Sequence, residues 1–298
     1  MEIFGRGGNI KKQEINAKKI SGILSGKTYS DENFPVSSFI MKRDLGLLIK
    51  KFYFFARTAD DVADNEKLSS KEKKAILKFF ERTLSNSEYT DLKALNDLIY
   101  LFPTIPFGKK YSRHLLKAFL LDAHKKEYKD WDELLYYCKY SANPVGRFVI
   151  DASHQNQRKN KNLKKIYRAS DKLCSALQII NHLQDCKDDY LNLKRVYIPE
   201  SFFKKYHLNT KCLSSKESSK KFVKLKLELV KKVEDMLINT KQGLKLITLW
   251  RLRKETLIIL NIAKGLCNLL KKHDPLKKKI KLSRIDLIFC FIKGIIWD

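Results

Sequence analysis

An all-α fold is what this sequence predicts, and three observations carry the prediction. Glycine and proline are scarce, 11 and 6 among 298 residues, which disfavours a turn-rich β architecture. Apolar residues recur at helical spacing in one long segment after another. Charged residues make up 32% of the chain against 44% hydrophobic, a balance suited to helices with one wet and one buried face. We read residues 1–298 as a single domain, with 1–28 a loose N-terminal lead and 285–298 an apolar C-terminal segment.

A short helix is expected around Glu14 to Leu24, followed by a polar stretch from Tyr29 to Ser38 in which Pro35 disfavours helix just before it. A long helix then runs through Ile40, Leu47, Leu48, Phe52 and Phe55, with Asp44, Lys50 and Lys51 on its wetter side. Lys71 to Leu84 and Asp91 to Phe102 come next, and Pro103 and Pro106 end the second. Tyr111 to Tyr128 precedes Trp131 to Ile150, where Pro144 and Gly146 predict a kink or break, either a bend that opens a helix beside a cavity or a plain loop. Lys161 to Tyr190 is the longest helical run, anchored by Leu173, Leu177, Ile180 and Leu183.

Beyond it, Asn192 to Pro199 reads as a loop, Phe202 to Leu208 as a short element and Asn209 to Ser219 as a flexible linker. Val223 to Leu237 is taken as helix although Leu225, Leu227 and Leu229 alternate like a strand. Trp250 to Leu270 is a clear apolar helix. Ile285 to Trp297 is the most apolar stretch, follows the basic Lys277 to Arg284 and is too short to span a bilayer. Two settings suit it: docking on the core, or lying in a membrane interface with lysines toward acidic headgroups.

The net charge of +28 attracts anions, and its sign alone does not choose among nucleic acid, acidic lipid and phosphorylated small molecules. Much of the excess is scattered lysine on solvated faces, and no nucleic-acid-binding motif accompanies it, so no nucleic-acid partner is expected. The six cysteines show no zinc-site spacing and read as buried thiols of a reducing cytoplasm. No secretion signal is recognised in the first thirty residues.

The chemistry sits in two acidic stretches. In Phe54 to Asp64, Asp60 and Asp64 lie four residues apart on one helical face, with Asp61 between them and Arg57 one turn earlier. Alone, this could be an exposed acidic helix end. In Gln178 to Tyr190, Asn181, Asp185 and Asp189 fall at i, i+4 and i+8, with Gln178 and Asp188 at the edges of that stripe. Two such helices imply acidic walls facing across a cavity. Hard oxygen donors suit Mg²⁺, which takes one or two carboxylates and completes its shell with water and phosphate oxygens. Within an apolar bundle, the ligand implied has a phosphate head and a hydrophobic body; a prenyl diphosphate fits. Arg57, Lys194 and Arg195 are the basic residues placed to hold a diphosphate at the mouth. A di-iron carboxylate bundle would need Glu-x-x-His pairs, which are missing, and His182 reads as a structural residue or one just behind the ligands.

At Ala56-Arg57-Thr58-Ala59-Asp60-Asp61-Val62-Ala63-Asp64, at Asn181 to Tyr190 and at Arg195-Val196-Tyr197-Ile198-Pro199, the chain resembles the squalene and phytoene synthase family. That family is the head-to-head branch of the class I isoprenoid (terpenoid) synthases. The resemblance runs well from Tyr29 to Pro199 and more weakly beyond. It implies a helical bundle around a central cavity, Mg²⁺ as cofactor in several ions bridged by the substrate diphosphate, and a prenyl diphosphate substrate. Asp31 to Val36, Phe55 to Asp61 and Tyr137 to Arg147 look like a bacterial hopanoid-pathway branch. In that branch presqualene diphosphate ionises, the cation rearranges, and water captures it as hydroxysqualene, with no NADPH required.

The family roles carry over as follows. Asp60, Asp64, Asp185 and Asp189 would bind Mg²⁺ with Asp61 and Asp188 in support, and Asn181 and Gln184 would position metal, diphosphate or water. Arg57, Arg195 and Ser37 would touch the diphosphate, and Tyr137 would lie near the cation. The chain departs from other branches at Glu32 to Ser37, where those carry a His-Lys-Ser-Phe-like stretch. The resemblance also suits a cytoplasmic enzyme, peripheral on the inner face of the membrane and working beside other squalene-pathway enzymes. The rivals are a condensing enzyme of the same family that joins two prenyl diphosphates, and a non-catalytic basic helical protein binding nucleic acid or acidic membrane.

Overall fold

The computed structural model describes residue 20 and residues 43–105, 107–153 and 161–296. Apart from residue 20, the expected lead and the helix around Glu14 to Leu24 fall outside them, as do the segment holding Ser37 and Trp297. Twelve helices are labelled here: α1 Arg43–Asp64, α2 Ser70–Asn86, α3 Lys93–Leu101, α4 Gly108–Asp122, α5 Trp131–Ser141, α6 Asn143–Ser153, α7 Leu163–Gln184, α8 Glu200–Lys205, α9 Lys220–Leu237, α10 Thr240–Leu244, α11 Trp250–Lys272 and α12 Arg284–Ile296. Among the described residues the sole β pairing is an isolated parallel bridge between Glu127 and Val196. The all-α prediction holds.

Local chemistry sets several helix ends. Ser69 and Glu72 form a reciprocal capping box at α2, and Asp130 and Ser219 cap α5 and α9 with their side-chain oxygens. The break expected near Pro144 falls at Ala142 (φ −121°, ψ −47°), and Pro144 then sits in the first turn of α6, where its missing N–H costs nothing. Gly146 lets α6 approach α7: a Cβ there would come inside 3.0 Å of Ser170 Oγ and Cys174 Sγ. Two expectations fail. Leu47 lies outside the core, 51% exposed, because its position falls on the wet side of α1. The presumed linker contains a 3₁₀ turn, Thr210–Ser214, and is fastened by Ser218, which donates N–H and O–H to the carboxylate of Asp274, and by Lys187 Nζ to the Ser215 carbonyl at 2.9 Å.

The core is continuous. From α1 it takes Ile49, Phe52, Phe55, Ala59 and Val62, and from α7 Ile166, Ala176, Ile179, Ile180 and Leu183. Phe52 stacks on Phe148 of α6 with ring centroids 3.8 Å apart. Helix α6 packs against both α1 and α7 and so holds the two acid-bearing helices apart, while α7 also packs against α5, α9, α10 and α11. All six cysteines are free thiols. No helix among the described residues is long and apolar enough to cross a membrane.

Candidate active site

The space kept open between α1 and α7 is a cavity of about 900 Å³, in the upper range for a small-molecule site. Its body is apolar and aromatic, lined by Phe52, Tyr53, Phe119, Val149, Leu173, Leu177, Leu252 and Ile259. Its other end is acidic. Nine carboxylate residues line the cavity, against the three cations Arg57, Arg195 and Lys279 among the described residues, in a chain whose net charge is +28. So steep a local reversal of charge calls for cations from outside the chain.

On the α1 wall, Arg57 reaches Asp60 (Nη1 to Oδ2, 3.0 Å) and Asp61 (Nη2 to Oδ1, 2.7 Å). Asp61 is buried by this pairing. Asp60 keeps 32% of its side-chain surface open, but that surface faces the cavity, so burial, with repulsion from Asp64 next, pushes its carboxyl well above the usual range. Asp64 is gripped by Arg195, whose Nη1 donates to Oδ1 at 2.6 Å while Nη2 donates to the Ala63 carbonyl at 2.9 Å.

The second wall is less regular than its spacing predicts. α7 stops at Gln184, Asp185 departs from helix (φ −103°, ψ 8°), and a short turn, Cys186–Asp188, leads into a π-turn, Asp189–Leu193. The i to i+4 path nonetheless survives: Asp185 N–H donates to the Asn181 carbonyl at 2.9 Å and Asp189 N–H to the Asp185 carbonyl at 2.8 Å. All three residues therefore line the cavity, with Asp188 exposed at its rim. Asp185 Oδ1 is buried and accepts no aligned hydrogen bond, although Lys279 Nζ stands 3.3 Å away. Burial raises the Asp189 carboxyl, and His182, with Nδ1 3.8 Å from Oδ2, pulls it back. Gln178 Nε2 lies 3.1 Å from His182 Nε2; with the amide donating, the imidazole proton sits on Nδ1, facing Asp189.

A buried network joins the walls. Asp122, at the end of α4, accepts the hydroxyls of Tyr137 (2.8 Å) and Tyr197 (2.9 Å), and its carboxyl is raised by burial while Arg195 and the two hydroxyls oppose that rise. Tyr197 stacks on His182 at 3.6 Å between centroids, and Tyr137 lies 5.4 Å from Tyr197. Burial pulls the Arg195 pKa down, but the surroundings, chiefly the carboxylates of Asp122 and Asp64, outweigh it and hold the guanidinium protonated.

Of the residues named from sequence, Asp60, Asp61, Asp64, Arg57, Tyr137, Asn181, Asp185, Asp188, Asp189 and Arg195 all line this one cavity. Gln184 does not. It is buried beneath the chain that follows α11, donating Nε2 to the Ile280 carbonyl at 2.6 Å, because the end of α7 turns that side chain away from the stripe. Lys194 is also absent from the lining: it is exposed, in the left-handed region (φ 55°), with Nζ on the Leu191 carbonyl. Ser37 falls outside the described residues. Asp122, Glu255 and Lys279 were not found from sequence, since none belongs to a spacing pattern, and Tyr197 was read only as part of the Arg195-to-Pro199 motif, with no role assigned to it.

The oxygen-only donor set, the unsatisfied Asp185 Oδ1 and the crowding of Asp60 against Asp64 fit hard divalent cations. Among the described residues no three His, Cys, Asp or Glu side chains close on one point.

A family profile described as "Squalene/phytoene synthase" matches residues 27–286. A hydroxysqualene synthase from Sinorhizobium fredii is 35% identical over 268 residues, spanning 90% of this chain and 89% of its own. Among solved structures, squalene synthase HpnC from Alicyclobacillus acidocaldarius superimposes with a TM-score of 0.69 at 22% identity, covering 86% of this chain and 92% of that one. A dehydrosqualene synthase solved in complex with a ligand gives a TM-score of 0.75 at 21% identity, covering 93% and 95%.

Proposed function

Because the chain belongs to the squalene/phytoene synthase family, whose members process prenyl diphosphates, we propose that it ionises presqualene diphosphate and delivers the rearranged cation to water, releasing hydroxysqualene and diphosphate. The observation that carries this reading is the likeness to hydroxysqualene synthases along nine-tenths of the chain, coupled to a cavity with an acidic mouth and an apolar body.

In the reaction one C–O bond to diphosphate breaks, one C–O bond to water forms, and the water gives up a proton. Asp60, Asp64, Asp185 and Asp189 would hold Mg²⁺, with Asn181, Asp61 and the rim residue Asp188 beside them. When bound, Mg²⁺ supplies the positive charge that makes diphosphate a leaving group. Arg57 and Arg195 orient the α1 carboxylates through their ion pairs, and Arg195 keeps a full positive charge next to the departing anion. The faces of Phe52, Tyr53, Phe119 and Tyr137 shelter the carbocation, and the apolar lining keeps out water other than the one that reacts. We assign the enzyme to the cytoplasm, against the inner face of the membrane and beside other squalene-pathway enzymes.

Purified protein with Mg²⁺ and presqualene diphosphate, without NADPH, should yield a C30 alcohol whose hydroxyl carries ¹⁸O from labelled water. Consumption of farnesyl diphosphate instead would assign it to the condensing enzymes. Asp60→Asn should cut turnover by about 10³-fold or more. It should leave the metal-free fold at least as stable, since it removes a buried carboxylate pressed against Asp64 while Arg57 keeps Asp61.

A further inference from the structure

Helix α12 is held to the molecule along one side only. Cys290 and Gly294 are buried against α11, and Gly294 sits so close that a Cβ would come inside 3.0 Å of Ile258 side-chain and backbone atoms. Lys254 Nζ adds a bond to the Ile295 carbonyl at 2.7 Å. The opposite side is bare: Ile285, Ile288, Phe289, Ile292, Ile295 and Ile296 are all exposed, between 37% and 68%. At 100° per residue these six positions fall within an arc of about 120°, centred opposite Cys290 and Gly294. They form one unbroken apolar stripe.

We infer that this stripe is a docking surface for an anionic lipid bilayer, into which α12 sinks side-on. Two features select that occupant. The first is charge: Arg284 and Lys293 border the stripe, and the exposed Lys278, Lys281 and Lys264 stand on the chain before it and on the adjoining helix. The acid on this border, Asp286, is held by the Ser283 N–H and hydroxyl, and the remaining cations around an apolar face match acidic headgroups over acyl chains. The second is repulsion: two copies of a +28 chain repel, which disfavours pairing of this face with itself.

A short connection joins this helix to the cavity wall. The chain from His273 to Ser283 runs from α11 to α12 and carries Lys279, which stands at Asp185, and the Ile280 carbonyl, which holds Gln184. Any link between docking and release of a C30 product into lipid rests on the reaction proposed above, whereas the docking surface stands on α12 alone.

Full-length protein should sediment with vesicles of 70:30 phosphatidylcholine and phosphatidylglycerol, and only weakly with pure phosphatidylcholine. Ile288→Ser/Phe289→Ser/Ile292→Ser, all at solvent-facing positions, should weaken binding at least tenfold with an unchanged circular dichroism spectrum. Lys281→Glu/Arg284→Glu should weaken it by about fivefold or more per charge removed. Retention of full binding by the triple-serine variant, failure of the wild type to bind acidic vesicles, or a stable dimer in sedimentation velocity that the triple variant abolishes would each overturn the inference. Because no substrate enters these measurements, their failure leaves the reaction untouched, and loss of the reaction leaves them unaffected.

Discussion

The Asp122 carboxylate ties α4 to α5 and to the segment after α7, and a double-mutant cycle measures what that tie is worth. Its oxygens accept Tyr137 at 2.8 Å and Tyr197 at 2.9 Å, all three groups are buried, and Arg195 is the neighbouring cation. A hydrogen bond to a charged group contributes about 1.5–3 kcal/mol, and a buried hydroxyl left without its acceptor costs about 1–3 kcal/mol. Asp122→Leu strands both hydroxyls and should destabilise the metal-free protein by about 2–6 kcal/mol. Tyr137→Phe alone should cost about 1.5–3 kcal/mol, yet in the Asp122→Leu background it removes a stranded hydroxyl and should recover about 1–3 kcal/mol. The coupling is then at least about 1.5–3 kcal/mol, read from urea denaturation followed by far-ultraviolet circular dichroism. A coupling below about 0.5 kcal/mol would show the two side chains to be energetically independent and refute the network.

Gly146→Ala should destabilise by about 1–3 kcal/mol through overpacking against Ser170 and Cys174, and Ser170→Ala/Cys174→Ala should restore much of that loss; an unrestored loss would point to helix α6 itself rather than its contact. His114, half-buried and edge-on to Tyr140, has its pKa lowered by burial and then by Lys110, Arg147 and Lys117. The unfolded chain therefore takes up that proton more readily, so the contribution is complete above the unfolded pKa near ~6.5 and is lost as pH falls from there through the lowered folded-state pKa. His114→Gln should flatten the decline in the urea midpoint between pH 7 and pH 5, and an identical slope in both proteins would refute the assignment.

What could be read from the sequence was whatever is periodic. The core faces of α1 and α7, the break before Pro144 and the two carboxylate stripes all follow from spacing along one helix, where neighbours in space are three or four residues apart. What escaped depends on contacts between distant segments. Asp122 meets Tyr197 75 residues later, and Gln184 meets the Ile280 carbonyl 96 residues later. No periodicity encodes such meetings, so an isolated aspartate looked inert, and Gln184, carried over from the family resemblance, looked functional. The end of α7 was masked because an i to i+4 bond continues on either side of Asp185, leaving the pattern of a helix that has in fact stopped.

The π-turn at Asp189–Leu193 has a bearing on how this chain can change. The Asp189 carbonyl accepts the N–H of Lys194 and, at 3.0 Å, that of Arg195. One peptide oxygen thus fixes the register between an acidic residue of one wall and the guanidinium that clamps the other. Deleting any one residue from the turn would rotate Arg195 by about 100° and swing it off Asp64. Leu191 is exposed and lies off the cavity lining, so it is free to be replaced, whereas the number of residues in the loop is not. Here the quantity under selection is a length, and gaps rather than substitutions are the changes this segment should reject.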